Sequence, residues 1–151
     1  PDFQREVREA WQDAFDEPLQ ADDCVVSGAG IRPGFDWVLH VAAVDYTVRD
    51  PETGGSSGPT RVKRCTTAAL LEASSLAVDH RDDIPEFVLG FPLLGAGHGG
   101  LGEVASAGAM MEAISASTPA QDLACIRFAV LEPTLERLVR SAAERHGVAT
   151  R

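Results

Sequence analysis

The segment GAGHGG, Gly95 to Gly100, puts four glycines and a histidine into six residues. It stands between an apolar run, EFVLGFPLL, and a helical pattern that begins near Glu103. Glycine adopts dihedrals closed to other residues and lets a ligand approach the backbone without a Cβ in the way. A strand that turns into a helix also presents unpaired N–H groups carrying about half a positive charge. Residue type and position together predict a phosphate or diphosphate held by the main chain of Gly95, Ala96, Gly97, His98, Gly99, Gly100 and Leu101. A turn alone usually needs one such glycine, so four speak for a ligand. Glu103 acts against it, since a carboxylate in the first helical turn already compensates the dipole. The His98 imidazole would face the two charges of a diphosphate and steady them in its protonated form. The competing reading makes it a solvent-facing loop residue whose backbone alone matters.

Gly95, Gly97 and Gly100 also satisfy G-x-G-x-x-G, a weak dinucleotide signal by itself. That fingerprint expects an acidic residue about 20 positions on, whereas the following strand ends at Glu132, 32 residues beyond Gly100. No lysine completes a P-loop. A Rossmann-type dinucleotide enzyme is therefore the less supported alternative. Elsewhere no nucleophile and base stand at a recognisable spacing, and the catalytic residues are left unassigned. Ser27, in VSGAG, lacks the flanking glycines of a nucleophile elbow. His40 sits in an apolar strand and is expected to be a hydrogen-bonded core histidine. His40, His80, His98 and His146 are scattered, with no i,i+4 pair for a metal. Asp22–Asp23 and Asp82–Asp83 read as solvated linker charges.

The elements that must position the loop follow from periodicity. Phe3, Val7, Ala10, Trp11, Ala14 and Phe15 recur at helical spacing and predict a helix over 3–16 ended by Pro18. Cys24–Gly30 reads as a strand entering a turn around IRPG. Phe35–Val44 is almost continuously apolar, as suits a strand covered on both faces. Thr47–Thr60 concentrates glycine, proline and serine and predicts an exposed, flexible loop within one domain. Thr60 is the expected N-cap of a helix with Val62, Cys65, Ala69, Ala73, Leu76 and Ala77 inward. A helix with Val104, Ala107, Met111 and Ile114 inward follows the glycine loop. Then come a strand over Leu123–Glu132 and a helix opened by Pro133, with Leu135, Leu138, Val139 and Ala142 inward and Gly147 as its stop. Strands alternating with helices predict one α/β domain with a mostly parallel sheet.

Composition narrows the function. The chain has 151 residues, 44% apolar and 24% charged, with a net charge of −10. Such an acidic surface disfavours direct nucleic-acid binding, although a few aimed amides can still hold a small anion. Cys24, Cys65 and Cys125 lie far apart in apolar segments and read as free thiols of a reducing compartment, so a soluble, cytoplasmic protein is expected. No run approaches the roughly 18 apolar residues of a membrane span, and no secretory leader is expected at the start. Because the chain opens on Pro1 and its only methionines are Met110 and Met111, it is expected to be a processed or partial product.

Three stretches resemble the macrodomain family, whose modules bind ADP-ribose and in some members hydrolyse ADP-ribosyl bonds. FPLLGAGHGGLGEVASAGAMMEAI resembles the family's second ligand loop. DWVLHVAAV resembles its strand with an embedded histidine, here His40. CTTAALLEASSLA and IRFAVLEPTLERL resemble the helix before the loop and the last strand–helix pair, so the likeness spans about Ala21 to Ala143. It implies a three-layer α/β/α sandwich that binds ADP-ribose or an ADP-ribosylated target without a cofactor. Gly95–Gly100 would wrap the diphosphate and distal ribose, and Leu131 would lie near the adenine. Gly99 stands where relatives often carry an aromatic, and Ala96 replaces a hydroxyl residue. The family's opening strands, adenine-reading aspartate and first ligand loop have no counterpart here. The missing part includes a strand expected in the middle of the sheet, so a partner segment completing the sheet is one expectation. Hydrolysis would depend on that first loop. A degenerate module acting as an interaction or structural piece remains the second reading.

Overall fold

The computed structural model describes residues 3–15, 17–29 and 34–150. The elements run α1 (Phe3–Ala14), β1 (Cys24–Gly28), β2 (Trp37–Val41), α2 (Pro59–Asp79), β3 (Val88–Phe91), α3 (Glu103–Ser115), a 3₁₀ turn (Pro119–Asp122), β4 (Cys125–Phe128) and α4 (Pro133–Arg145). The fold is mixed α/β, as expected. The sheet is not: the strands form two separate two-stranded sheets, β1 with β2 antiparallel and β3 with β4 parallel. Connection length explains the difference. Only residues 29–36 join β1 to β2, too few for the crossover a parallel pair needs, whereas α3 carries the chain across between β3 and β4. Most of the turn expected around residues 31–34 lies outside the described residues.

Each strand is shorter than its apolar run. The core packs α2, α3 and α4 against the inner faces of the strands, with Val62, Leu70, Ala73, Met110 and Ala142 wholly enclosed. Alanines dominate the α2 face (Ala68, Ala69, Ala73, Ala77) and let α3 approach closely. Lys63 on α2 reaches Glu112 on α3 at 2.9 Å. Helix α1 leans on β1, with Val7, Ala10 and Trp11 only half-buried. Ala107, Met111 and Ile114 of α3 are buried as predicted, whereas Val104 is 66% exposed. Helix α2 begins one residue before its predicted cap. Gly58 is the N-cap and Pro59 the first helical residue, where a missing N–H costs nothing. The Thr60 hydroxyl instead donates to Glu52 Oε1 at 2.7 Å. At the end of α4, Gly147 takes φ +68° and Val148 N–H returns to Ala143 O at 2.9 Å, the predicted glycine stop. No helix among the described residues is long and apolar enough to cross a membrane.

Neither sheet is closed on both sides. One groove of about 670 Å³ separates β2 from β3, and another of about 740 Å³ runs along β4 and α4.

Candidate functional site

The glycine loop lies at the carboxyl end of β3 and runs into α3, as the sequence places it. The Ser106 hydroxyl, buried on α3, donates to Leu94 O at 2.8 Å and fixes where the loop starts. Within the loop, Ala96 N–H bonds Leu93 O (3.4 Å), Gly100 N–H bonds Gly97 O (3.0 Å) and Leu101 N–H bonds Gly95 O (3.2 Å). Among the described residues, the N–H groups of Gly95, Gly97, His98 and Gly99 find no acceptor. The helix beyond adds its own unpaired first-turn amides, because its N-cap, Gly102, carries no capping side chain. A cluster of donors therefore meets at one strand-to-helix junction.

The glycines divide by what requires them. Gly95 and Gly100 have φ of +71° and +78°, a region that strains any residue with a Cβ. A Cβ on Gly95 would also lie 2.5 Å from Ser57 Oγ. One on Gly99 would lie 2.7 Å from Gly95 O and 2.9 Å from Ser57 Cβ. The fold itself thus demands three of the four. Gly97 is different: its φ is not left-handed and a Cβ there meets nothing within 4 Å. The count of glycines overstated the ligand signal, and Gly97 is what remains of it.

The residue that organises the junction was not legible in the sequence. Ser57 is completely buried, donates from Oγ to Ala43 O at 2.6 Å and packs against Gly95 and Gly99. Ser56 N–H bonds Gly99 O at 3.2 Å, and Ser56 O accepts from Asp45 N–H at 2.7 Å. The breaker-rich segment is exposed over Pro51–Gly54, as expected, but its last third is docked against the glycine loop. Arg61, in the first turn of α2, draws residues 42–45 toward it by bonding Ala42 O (3.1 Å) and Asp45 Oδ2 (3.0 Å). Thr47 donates to Asp45 through both its N–H and its hydroxyl, and these bonds hold the Asp45 carboxyl below its usual range. One of two adjacent serines among glycines carries no periodic signal, so only the contact reveals it.

His98, Gly97 and Gly100 are exposed, Gly99 is buried and Gly95, Ala96 and Leu101 are half-buried. Leu131, just past β4, is 99% exposed. It shares with the glycine loop the carboxyl end of the parallel pair β3–β4, the edge where α/β sheets bind ligands. No protein-family model matches the chain, and no curated protein matches it either.

Other groups are less suited to chemistry. Ser27 Oγ and His40 Nε2 stand 2.9 Å apart across β1 and β2, a pairing that sequence spacing does not disclose. Ser27 is only 6% exposed, and burial pushes His40 below its ordinary value, the environment of a hydrogen-bonded core histidine. The Cys24 thiol is pushed up to about 12 and that of Cys65 to about 11, chiefly by burial, so neither offers a thiolate near neutrality. Among the described residues, no three His, Cys, Asp or Glu side chains cluster as a metal site would require.

Proposed function

We propose that this chain is a macrodomain-like module, built on an α/β/α plan, that binds ADP-ribose or a related nucleotide diphosphate. The observation that carries this reading is the set of unpaired amides on Gly95, Gly97, His98 and Gly99, next to the uncapped start of α3. Charge-assisted bonds from backbone N–H to phosphate oxygens are about twice as strong as neutral ones, and the exposed residues Gly97 and His98 give up little to make them. Gly97, where the fold has room for a Cβ, would let the diphosphate lie directly on the main chain. His98 extends from the same loop toward solvent, where it would meet the phosphates or distal ribose. Leu131 offers an exposed apolar surface for the adenine.

A second reading has its own support. Ser56 and Ser57 satisfy part of the glycine loop from within the protein, as in an interaction module whose cleft stays empty. Calorimetric titration with ADP-ribose, AMP and NAD decides between them. Micromolar binding of ADP-ribose, with AMP weaker, supports the nucleotide reading. Silence toward all three favours the interaction module. Preference for NAD would move the chain to the dinucleotide enzymes.

A further inference from the structure

The groove between β2 and β3 touches Trp37, Val38, Leu39, His40 and Val41 on one side and Val88, Leu89, Gly90 and Phe91 on the other. A cavity over the face of a strand would touch alternate residues, because side chains alternate. One that touches every residue runs along the strand's edge. The hydrogen bonds agree. Ala29 N–H bonds Asp36 O, so in the antiparallel alternation Val38 and His40 face β1 while Trp37, Leu39 and Val41 turn their N–H groups away. On β3, the carbonyls of Phe87 and Phe91 are taken by the β4 side, which leaves Val88 and Gly90 turned the other way. Among the described residues, two unpaired strand edges therefore confront one another.

They also run in the same direction. Trp37 stacks on Phe87 at the amino ends, with ring centroids 5.7 Å apart. Ser57 joins the carboxyl ends, bonding Ala43 beyond β2 and packing on Gly95 beyond β3. A strand takes up about 3.3 Å of length, 4.8 Å of width and 10 Å of depth per residue, roughly 160 Å³. The 670 Å³ groove thus holds about four residues, the length of β3. Asp36 and Glu86 flank it at the amino end, both exposed and without an ion-pair partner among the described residues. The half-exposed β2 and the outward Val88 supply apolar surface along its length.

We propose that this groove is an acceptor for an extended apolar segment of a partner chain, basic beside Asp36 and Glu86. The segment pairs with β2 and β3 together and joins the two half-sheets into one of five strands. Main-chain bonding on both sides gives the affinity, and the carboxylates select the charge of the flank.

The test uses a fluorescein-labelled peptide of five alternating isoleucine and threonine residues with two lysines at each end, and the same peptide flanked by glutamates. Anisotropy should show saturable binding of the lysine peptide and at least about tenfold weaker binding of the glutamate peptide. Amide exchange should slow at Leu39, Val41, Val88 and Gly90 on binding. Leu39→Pro and Gly90→Pro each remove an N–H that faces the groove and spare the existing ladders, so each should cost about tenfold or more in affinity. No binding at millimolar peptide, protection confined to the β4 edge, or affinity untouched by both proline variants overturns the proposal. A dimer of this chain with the same protection in the absence of peptide would also overturn it, making a second copy the occupant.

Discussion

Gly95 and Gly97 lie two residues apart, and the structure expects opposite consequences from the same substitution. In Gly95→Ala the new Cβ meets φ +71°, worth about 1–2 kcal/mol of strain. It also meets Ser57 Oγ at 2.5 Å inside a fully buried contact. If Ser57 yields, its 2.6 Å bond to Ala43 O is lost, at about 1–3 kcal/mol for a buried group left unsatisfied. The combined loss is about 3 kcal/mol, a fall in Tm of roughly 6–12 °C for a chain of this size. Gly97→Ala meets no atom within 4 Å and keeps an ordinary φ. Its stability should stay within about 0.5 kcal/mol, or rise slightly because the unfolded chain loses freedom. Its ligand affinity should fall, because the Cβ occupies the space a diphosphate would use. Urea melts give the two stabilities, and calorimetry with ADP-ribose gives the affinity of the Gly97 variant. A Gly95 variant as stable as the parent would refute the packing account of that glycine. A Gly97 variant with unchanged, measurable ADP-ribose affinity would refute the close approach of a phosphate to the loop.

Ser57→Ala keeps the packing and removes the bond to Ala43 O, so chemical denaturation should show a loss of about 1–2 kcal/mol. His40 is held below its ordinary value by burial, so its unfolded form takes up a proton first as pH falls. Stability from this group is complete above the unfolded value near 6.5 and declines at lower pH, and melts from pH 7 to pH 5 should decline less steeply in His40→Gln. With their thiols at about 12 and about 11, Cys24 and Cys65 should react with iodoacetamide at pH 8 at least about a hundredfold slower in the folded chain than in urea, read by peptide mapping. Leu131→Ala should leave Tm unchanged, because the side chain is 99% exposed, and should weaken AMP and ADP-ribose alike if the adenine rests on it.

Local signals in the sequence determined the kinds of element and most of their inward faces. The α2 stripe from Val62 to Ala77, the α3 face through Ala107, Met111 and Ile114, Pro133 opening α4 and Gly147 closing it depend on neighbours within a few residues. Position alone also put the glycine loop at a strand-to-helix junction. Tertiary structure decided the rest, because it depends on groups far apart in the chain. Strand direction came from the lengths of the connections, so one expected sheet became an antiparallel and a parallel pair with a groove between them. The packing roles of Gly95 and Gly99 came from Ser57, some forty positions away, and the Ser27–His40 pair came from cross-strand register. A residue pattern reports which face of an element is apolar; what that face or edge will meet is fixed only when the distant partner arrives.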